Sequence, residues 1–310
     1  METSNDNGVN LSSAKAKLQK ILNDSELDPE WPFPTETFIG ILQAHPELAH
    51  EPLSSSSSSK WSQLPFQFLC LMSEDDVPNP PTLAMLEQVY QLYPEAISSS
   101  SSSSQENNHS LLHTVVACNP RVDLVDYLIQ HDKQNSAVRT LSPEGIWPIH
   151  LLVRDNFIES DLAMVLAQAF PESIRTPCGP LHLSIIQLVI DAREMLRNDE
   201  QGLQDNEATI LALIDIDPNA CQVMDYNPNH TSLLPLGELL TGPVTPQLVE
   251  AVIKSWPQAL VHLNDGYFDK KQWLPNNIKE VLKRYCTGDN FENNFGSVDD
   301  ANYTESDVEN

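Results

Sequence analysis

Two short sequence phrases alternate along the chain and predict where its helices end and begin. The first places Pro after an apolar segment and before a short polar-apolar pair: His45-Pro46-Glu47-Leu48-Ala49, Tyr93-Pro94-Glu95-Ala96-Ile97, Phe170-Pro171-Glu172-Ser173-Ile174, Asp217-Pro218-Asn219-Ala220-Cys221 and Trp256-Pro257-Gln258-Ala259-Leu260, with Asn135-Ser136-Ala137-Val138 as a copy without Pro. The second reads Leu64-Pro65-Phe66, Leu111-Leu112-His113, Trp147-Pro148-Ile149-His150, Gly179-Pro180-Leu181-His182, Leu234-Pro235-Leu236 and Leu274-Pro275-Asn276. Because proline lacks an amide hydrogen and fixes φ, we expect it to end a helix in the first phrase and to occupy the first turn in the second.

The segments between a second phrase and the next first phrase have the length of a helix pair. Three of these five segments span 22–24 residues, and their apolar residues recur at helical spacing, as in Val122, Val125, Leu128 and Ile129. Each repeat therefore reads as helix, turn, helix, loop. Since one such pair cannot bury its apolar face alone, the chain is predicted to be all-α, an α-solenoid of about six stacked repeats.

The predicted solenoid covers residues 13–286 and includes a capping helix near 14–22. Residues 1–12 are expected to form a disordered tail. The serine runs 54–59 and 98–104 are interpreted as tolerated loop insertions, because loop closure entropy grows only slowly with length. Residues 287–310 contain seven acidic residues and no Lys or Arg, which predicts an acidic disordered tail.

The chain resembles degenerate ankyrin repeats, whose helix-opening turn has the form Gly-x-Thr-Pro-Leu-His in a unit of about 33 residues. Gly145-Ile146-Trp147-Pro148-Ile149-His150 matches with Trp in place of Thr, and Gly179-Pro180-Leu181-His182 keeps the core of the turn. The resemblance implies that the structural turn residues are Pro148, His150, Pro180, His182 and His113. It further implies that the imidazoles of the histidines hydrogen-bond to neighbouring backbone. HEAT-like repeats would suit the longer mean period, but the excess length lies in the loops and not in the helices.

Charge and cysteine content narrow the class of partner and compartment. With 44 Asp+Glu against 17 Lys+Arg the formal charge is −27, which disfavours nucleic acid and favours a basic protein partner. Five cysteines without a C-x-x-C pair favour a reducing compartment, so we expect an intracellular protein, cytoplasmic or nuclear. No apolar run is long enough for a membrane span, and a monomer is expected.

The function that these patterns predict is a non-catalytic protein-interaction scaffold or adaptor without a cofactor. Ankyrin-like proteins bind partners with loop tips and first-helix faces, and the aromatic residues predicted at such places are Trp61, Trp147, Tyr226, Tyr267 and Phe268. Two alternatives stay open. One is an acidic chaperone-like or regulatory protein that binds basic partners through its C-terminal tail. The other is an enzyme with an unrecognised site.

Catalytic and metal-binding motifs have little support in the sequence. No two glycines form a G-x-G pair, and no Gly-x-Ser-x-Gly elbow is present. The enzyme alternative would use His113, His150 and His182, which occupy the same place in three predicted repeats, together with Asp155 or Asp191. His109 and His113, four residues apart with Glu106 nearby, would form a metal pair if both lay on one helix. His109 follows a Ser/Asn run, so we expect it to precede the helix and predict no metal site.

Overall fold

A computed structural model describes most of the chain as helix. The described residues are 6–27, 33–54, 62–72, 81–97, 110–118, 120–132, 136–155, 160–179, 183–222, 235–262 and 274–286. The chain divides into two compact units, Met1–Asn156 and Phe157–Asn310. The prediction of an all-α fold is confirmed at this level, with one two-residue strand pair as the exception among the described residues.

The first unit contains eight described helices, two short 3-10 helices and one strand pair. Its elements are α1 (Asp6–Leu27), α2 (Thr35–Ala44), a 3-10 helix (Pro46–His50), β1 (Leu53–Ser54), β2 (Ser62–Gln63), α3 (Pro65–Leu71), α4 (Leu83–Tyr90), a 3-10 helix (Pro94–Ala96), α5 (Leu111–Cys118), α6 (Val122–His131), α7 (Ser136–Arg139) and α8 (Pro148–Asp155). The strands are antiparallel, with Leu53 opposite Gln63 and Ser54 opposite Ser62. They flank most of the first serine run, of which residues 55–59 lie outside the described residues, as does the run 98–104.

The regular elements of the second unit are all helices among its described residues, with one isolated β-bridge between Cys178 and Leu183. Its elements are α9 (Ser160–Ala169), α10 (Glu172–Arg175), α11 (Ile185–Met195), α12 (Glu200–Ile216), a 3-10 helix (Pro218–Gln222), α13 (Pro235–Leu239), α14 (Pro246–Ser255), α15 (Ala259–His262) and α16 (Asn276–Tyr285). Residues 287–310, predicted to be an acidic disordered tail, lie outside the described residues.

The N-terminal helix is longer than the predicted capping helix. α1 begins at Asp6, so residues 6–12, predicted to be part of a disordered tail, are helical. The buried side of α1 presents Ala14, Leu18, Ile21 and Leu22, which agrees with the apolar spacing of the predicted segment.

The first phrase forms a short helical turn of its own. The preceding helices end before the Pro, as in α2 at Ala44 and α9 at Ala169, which is where proline is expected to stop them. The residues after the Pro then form a 3-10 turn or one turn of α-helix instead of entering a loop directly. The apolar residues of these turns are buried, among them Leu48, Ala96 and Ile174. The phrase therefore contributes to the core as well as ending a helix.

Within each unit, the helices pack on one another in two series. In the first unit α3 packs on α5 and α5 on α8, while α2 packs on α4 and α4 on α6. In the second unit α9, α12, α14 and α16 pack in that order, and α11 packs on α13. Side chains at their contacts are fully buried, such as Leu112, Leu152 and Leu213. Within each unit, helix pairs thus contact their sequence neighbours.

Candidate functional site

The predicted repeat turn is best seen at the start of α5, where His113 connects two of the predicted repeats. His113 is fully buried. Its Nε2 lies 3.0 Å from the carbonyl oxygen of Ile146, 33 residues further on, and its Nδ1 lies 2.7 Å from Ser110 Oγ. Because a carbonyl only accepts hydrogen bonds, we assign the ring proton to Nε2, and Ser110 Oγ then donates to Nδ1. The imidazole is thus used to join the helix start to the loop of the next repeat.

The same third helical position carries a polar side chain in other repeats. Gln67 in α3 accepts from the Leu64 amide through Oε1 at 3.1 Å and donates from Nε2 to the Ala96 carbonyl at 3.2 Å. Gln187 in α11 accepts from the Ser184 amide at 3.0 Å. These side chains share an acceptor at the start of the helix, and glutamine supplies it as well as histidine does. The sequence analysis named His113 and not the two glutamines.

The helix that follows the fourth copy of the second phrase is α11. It begins at Ile185, five residues beyond Pro180. Ahead of α11 the Cys178 amide donates to the Leu183 carbonyl at 3.3 Å, and Gly179 adopts φ +72°. Pro180 and His182 themselves lie outside the described residues. With Gln187 as the repeat-turn residue, the third helical positions fall at 113, 150 and 187, two steps of 37 residues.

A tight hairpin precedes α8, where the clearest ankyrin-like motif lies. The Ser142 amide donates to the Ile146 carbonyl at 2.8 Å, and the Gly145 amide donates to the Ser142 carbonyl at 2.9 Å. Gly145 has φ +73°, which only glycine adopts without strain. This is the geometry of a short hairpin loop with a left-handed glycine. Pro148 follows as the first residue of α8, as predicted from the motif.

Two apolar side chains flank this hairpin and reach solvent. Trp147 is half-buried, and its ring lies 5.6 Å from the buried imidazole of His150, centroid to centroid. Leu141, on the other side of the turn, is 47% exposed. Of the residues predicted to bind a partner, Trp147 is the one that the structure describes. Trp61, Tyr226, Tyr267 and Phe268 lie outside the described residues.

A second group of rings lies on α4 and α6 and was not predicted from the sequence. The rings of Tyr127 and His131 stack at 4.1 Å, and Tyr90 meets His131 edge-on at 5.0 Å. Tyr127 Oη donates to Glu87 Oε2 at 2.5 Å, and His131 Nδ1 lies 2.9 Å from the Tyr127 carbonyl. The one sequence signal for this group is the spacing of four residues between Tyr127 and His131, which places both on one helix face.

The hydrogen bond from Tyr127 to Glu87 changes the acidity of both groups. The bond from Tyr127 lowers the pKa of Glu87, with a smaller contribution from Gln91. Burial raises the pKa of Tyr127, and the same hydrogen bond adds to the rise. Burial also raises the pKa of Tyr90, whose hydroxyl is near the carboxylates of Glu87 and Glu95. The pair is therefore held as carboxylate and neutral phenol.

A further ring contact lies one helical turn beyond Tyr90. The ring centroids of Tyr93 and His50 lie 4.1 Å apart; Tyr93 opens one copy of the first phrase, and His50 directly follows the copy before it. Tyr93 is half-buried and His50 is exposed. Together with the group on α4 and α6, they define what we call the ring row: His50, Tyr93, Tyr90, Tyr127 and His131. It lies where second helices end, on different elements from the hairpin beside Trp147.

The structure describes the surroundings of some of the residues suggested for an enzyme. Asp191 is exposed and lines a cavity of about 290 Å³ in the second unit with Arg193, Glu194, Arg197 and Glu238. No histidine lines this cavity. Asp155 is the last residue of α8. Both ring nitrogens of His113 already have hydrogen-bond partners, Nδ1 with Ser110 Oγ and Nε2 with the carbonyl oxygen of Ile146.

No metal site or membrane span is found in the described part of the chain. Among those residues, no group of three or more His, Cys, Asp or Glu side chains is placed to hold a metal ion. His109 and Glu106, the suggested partners of His113, lie outside the described residues. No helix in the described ranges is both long and apolar enough to cross a membrane. All five cysteines are free thiols.

Comparison with known proteins assigns no relative. No protein-family model, no curated protein and no solved structure matches the chain.

Proposed function

We propose that the chain is a non-catalytic protein-interaction scaffold built from degenerate ankyrin-like repeats. The carrying observation is the bond from His113 to Ile146, which joins the start of one helix pair to the loop of the next across 33 residues. The packing of α3 on α5 and of α5 on α8 supports the same reading. A repeat protein of this type presents an extended surface and keeps its polar turn residues for internal bonds.

The loops ahead of three first helices support the ankyrin-like part of the proposal. β1 and β2 precede α3, the Ser142–Ile146 hairpin precedes α8, and the Cys178–Leu183 bridge precedes α11. A turn with strand-like pairing followed by two helices is the composition of an ankyrin repeat. The loops therefore occupy equivalent places in their repeats despite their different lengths.

The partner surface that we favour is the hairpin side of the first unit. Trp147 and Leu141 expose apolar area on either side of a turn that is fixed by two backbone hydrogen bonds. Rigid, partly exposed aromatic residues are the typical anchors of protein interfaces. The formal charge of −27 would steer a basic partner towards the chain.

The ring row is a second candidate surface for the same function. Glu87 and Glu95 lie around its Tyr90 hydroxyl, so lysine or arginine side chains of a partner would meet both carboxylates and ring faces there. The partner would again be a basic protein, as for the hairpin side, but it would contact different helices.

Affinity purification of the full chain at physiological salt separates the two surfaces. We expect the double variant Leu141→Ala, Trp147→Ala to lose a stoichiometric basic protein that the parent chain and His50→Ala, Tyr93→Ala both retain. Loss with the second variant alone would move the interface to the ring row. If both variants, folded by circular dichroism, recover the same proteins as the parent, neither surface is the interface and the scaffold proposal loses its support.

The dependence of partner recovery on salt concentration tests the electrostatic part of the proposal. Recovery of the partner should fall when ionic strength rises from about 0.05 to 0.15 M, because the Debye length shortens over that range. Recovery that does not change with salt would mean that the acidic charge plays no part in binding.

A further inference from the structure

The cavity of about 290 Å³ in the second unit is lined by the end of α11, by α13 and by the segment that follows α13. We call it the α11 cavity. Ile190, Leu239 and Pro243 give it apolar walls, and five charged side chains line it as well: Asp191, Arg193, Glu194, Arg197 and Glu238. Small-molecule sites measure about 300–1,000 Å³, so this cavity has room for one group of the size of a side chain.

The glycine at position 242 keeps the α11 cavity open. A Cβ added there would have one heavy atom within 4 Å, Glu194 Oε2 at 3.8 Å. Gly242 does not adopt a positive φ, so its conformation does not explain why the residue is glycine. Its amide donates to the Leu239 carbonyl at 3.4 Å, which fixes the segment beside the cavity. A larger side chain at this position would therefore extend towards Glu194 and occupy the space.

Carboxylates outnumber cations around the α11 cavity. Its described lining has three carboxylates and two guanidinium groups, a net charge of −1. Arg197 Nη2 lies 2.7 Å from Glu194 Oε1. The buried Arg193 donates to the Pro243 carbonyl at 2.8 Å and lies 3.9 Å from Glu207 Oε2. Each guanidinium group is thus engaged with a carboxylate other than that of Asp191.

Asp191 is the carboxylate that the surrounding protein leaves unbalanced. Its side chain is exposed and makes no hydrogen bond or ion pair with a described residue. Asp191 and Glu194 are three residues apart on α11, so these like charges are neighbours on one side of the helix and repel each other. Such a local cost in stability is expected at functional positions. A cation bound beside Asp191 would remove this cost.

We propose that the α11 cavity binds one guanidinium or ammonium group on an alkyl stem. The cationic head pairs with Asp191, and the stem packs on Ile190 and Leu239. An anion would meet three carboxylates there, and a neutral ligand would leave Asp191 unbalanced. A free alkylamine and an arginine or lysine side chain of another protein share this chemistry. The inference is independent of the scaffold proposal, because it requires neither a repeat surface nor the first unit.

Titration of the ¹⁵N-labelled full chain with butylguanidinium chloride, followed by amide chemical shifts at low salt, tests the site. We expect saturable shifts at Thr241 and Gly242, with a dissociation constant of about 1 mM because the ligand has few atoms. Butylurea has the same number of heavy atoms and no charge. We expect it to bind at least about tenfold more weakly, since it cannot make a charge-assisted bond to a carboxylate.

Two variants separate the contribution of charge from that of space. Asp191→Asn removes the charge of an exposed side chain and should weaken binding of butylguanidinium about fivefold. Gly242→Leu keeps every charge but fills the cavity, so it should abolish the saturable shifts. The control is Asp215→Asn on the exposed side of α12, which changes the net charge as Asp191→Asn does. It lies outside the cavity lining and should leave the affinity unchanged.

A capped tripeptide with a central arginine distinguishes the two sources of the ligand. If it binds as tightly as butylguanidinium, the peptide backbone does not obstruct entry and the site takes a basic side chain of another protein. If it binds much more weakly than butylguanidinium, the site takes a free alkylamine.

The proposal is overturned if butylguanidinium gives no saturable shift, or if butylurea binds equally well. It is also overturned if Asp191→Asn and Gly242→Leu, both folded by circular dichroism, bind like the parent. An equal loss with Asp215→Asn would show that only the net charge of the chain matters, and would likewise contradict a site at the cavity. If Gly242→Leu does not fold, Asp191→Asn decides the outcome, because it alters an exposed side chain without described hydrogen bonds.

Discussion

The Nε2 atom of His113 donates a hydrogen bond to the carbonyl oxygen of Ile146, 33 residues away, at 3.0 Å. Ile146 closes the hairpin ahead of α8 through its own carbonyl, which also accepts from the Ser142 amide at 2.8 Å. One carbonyl therefore takes a bond from its own loop and a bond from the previous repeat. A buried side chain with both a donor and an acceptor makes this connection.

Replacing His113 should destabilise the first unit unless the new side chain keeps both bonds. We expect His113→Ala to lower the free energy of unfolding by about 2–4 kcal/mol, because it leaves a cavity and removes two buried hydrogen bonds. His113→Gln should cost less than about 1.5 kcal/mol, since Gln67 makes both kinds of bond at the same place in α3. Urea unfolding followed by circular dichroism measures both.

A matched contrast makes this prediction specific. If the glutamine variant is as unstable as the alanine variant, the bonds at this position do not matter and the ring is needed for its volume alone. Hydrogen exchange at the amides of α5 and α8 should show where stability is lost.

Two glycines in open surroundings should respond to alanine in opposite directions. Neither Gly145 nor Gly40 has an atom within 4 Å of where a Cβ would be placed, so contacts do not decide the outcome. Gly145 has φ +73°, and Gly145→Ala should cost about 1–2 kcal/mol. Gly40 lies inside α2, where Gly40→Ala should stabilise by about 0.5–1 kcal/mol. Equal signs in thermal unfolding would contradict the hairpin geometry.

The bond between Tyr127 and Glu87 should make stability depend on pH at both ends of the range. The folded-state pKa of Glu87 is lowered, so its contribution is present above the unfolded pKa near 4.5 and is lost as pH falls below it. The folded-state pKa of Tyr127 is raised, so its contribution is present below the unfolded pKa near 10.0 and is lost as pH rises above it. Glu87 is partly exposed, so each effect should stay below about 1 kcal/mol.

The variant Tyr127→Phe tests this pair, because it removes the hydroxyl and keeps the ring. The difference in unfolding free energy between Tyr127→Phe and the parent should be largest near pH 7 and should shrink below pH 4.5. A difference that stays constant from pH 3 to pH 8 would show that the hydroxyl has no electrostatic role.

The buried guanidinium of Arg193 should be a strong determinant of stability in the second unit. It is 3% exposed, and it donates to the Pro243 carbonyl at 2.8 Å and to Asn206 Oδ1 at 2.9 Å. Arg193→Ala should cost about 3 kcal/mol or more, because it leaves those acceptors unsatisfied. Arg197, exposed and paired with Glu194, is the control, and Arg197→Ala should cost less than about 0.5 kcal/mol. Similar costs in urea unfolding would rule out the bonding role assigned to Arg193.

Helix ends were well predicted from the sequence because proline acts locally. Pro148 opens α8 and Pro65 opens α3, and helices end just before Pro46 and Pro171. These outcomes depend on one missing amide hydrogen and a fixed φ, which are properties of the residue itself. The apolar spacing predicted the buried side of α6 in part: Val125 and Leu128 are buried, whereas Val122 and Ile129 are half-buried and Leu124 is buried without having been named.

The beginning of α11 and the ring row depended on contacts that no local pattern encodes. α11 begins at Ile185, five residues beyond Pro180. Ahead of it the Cys178 amide donates to the Leu183 carbonyl, and the Ser184 hydroxyl donates to Gln187 Oε1. Glu87 and Tyr127 are 40 residues apart, and only the packing of α4 on α6 brings them together.

By itself, the sequence determined the helical class, the alternation of the two phrases and the charge, because each follows from residue identity and short spacing. The tertiary structure decided which polar side chains have the same role at the starts of different helices. Gln67, His113 and Gln187 are not all of one residue type, yet each side chain presents an acceptor to the start of its own helix. The shared feature is the acceptor, because the donors at a helix start need an acceptor and not one particular side chain.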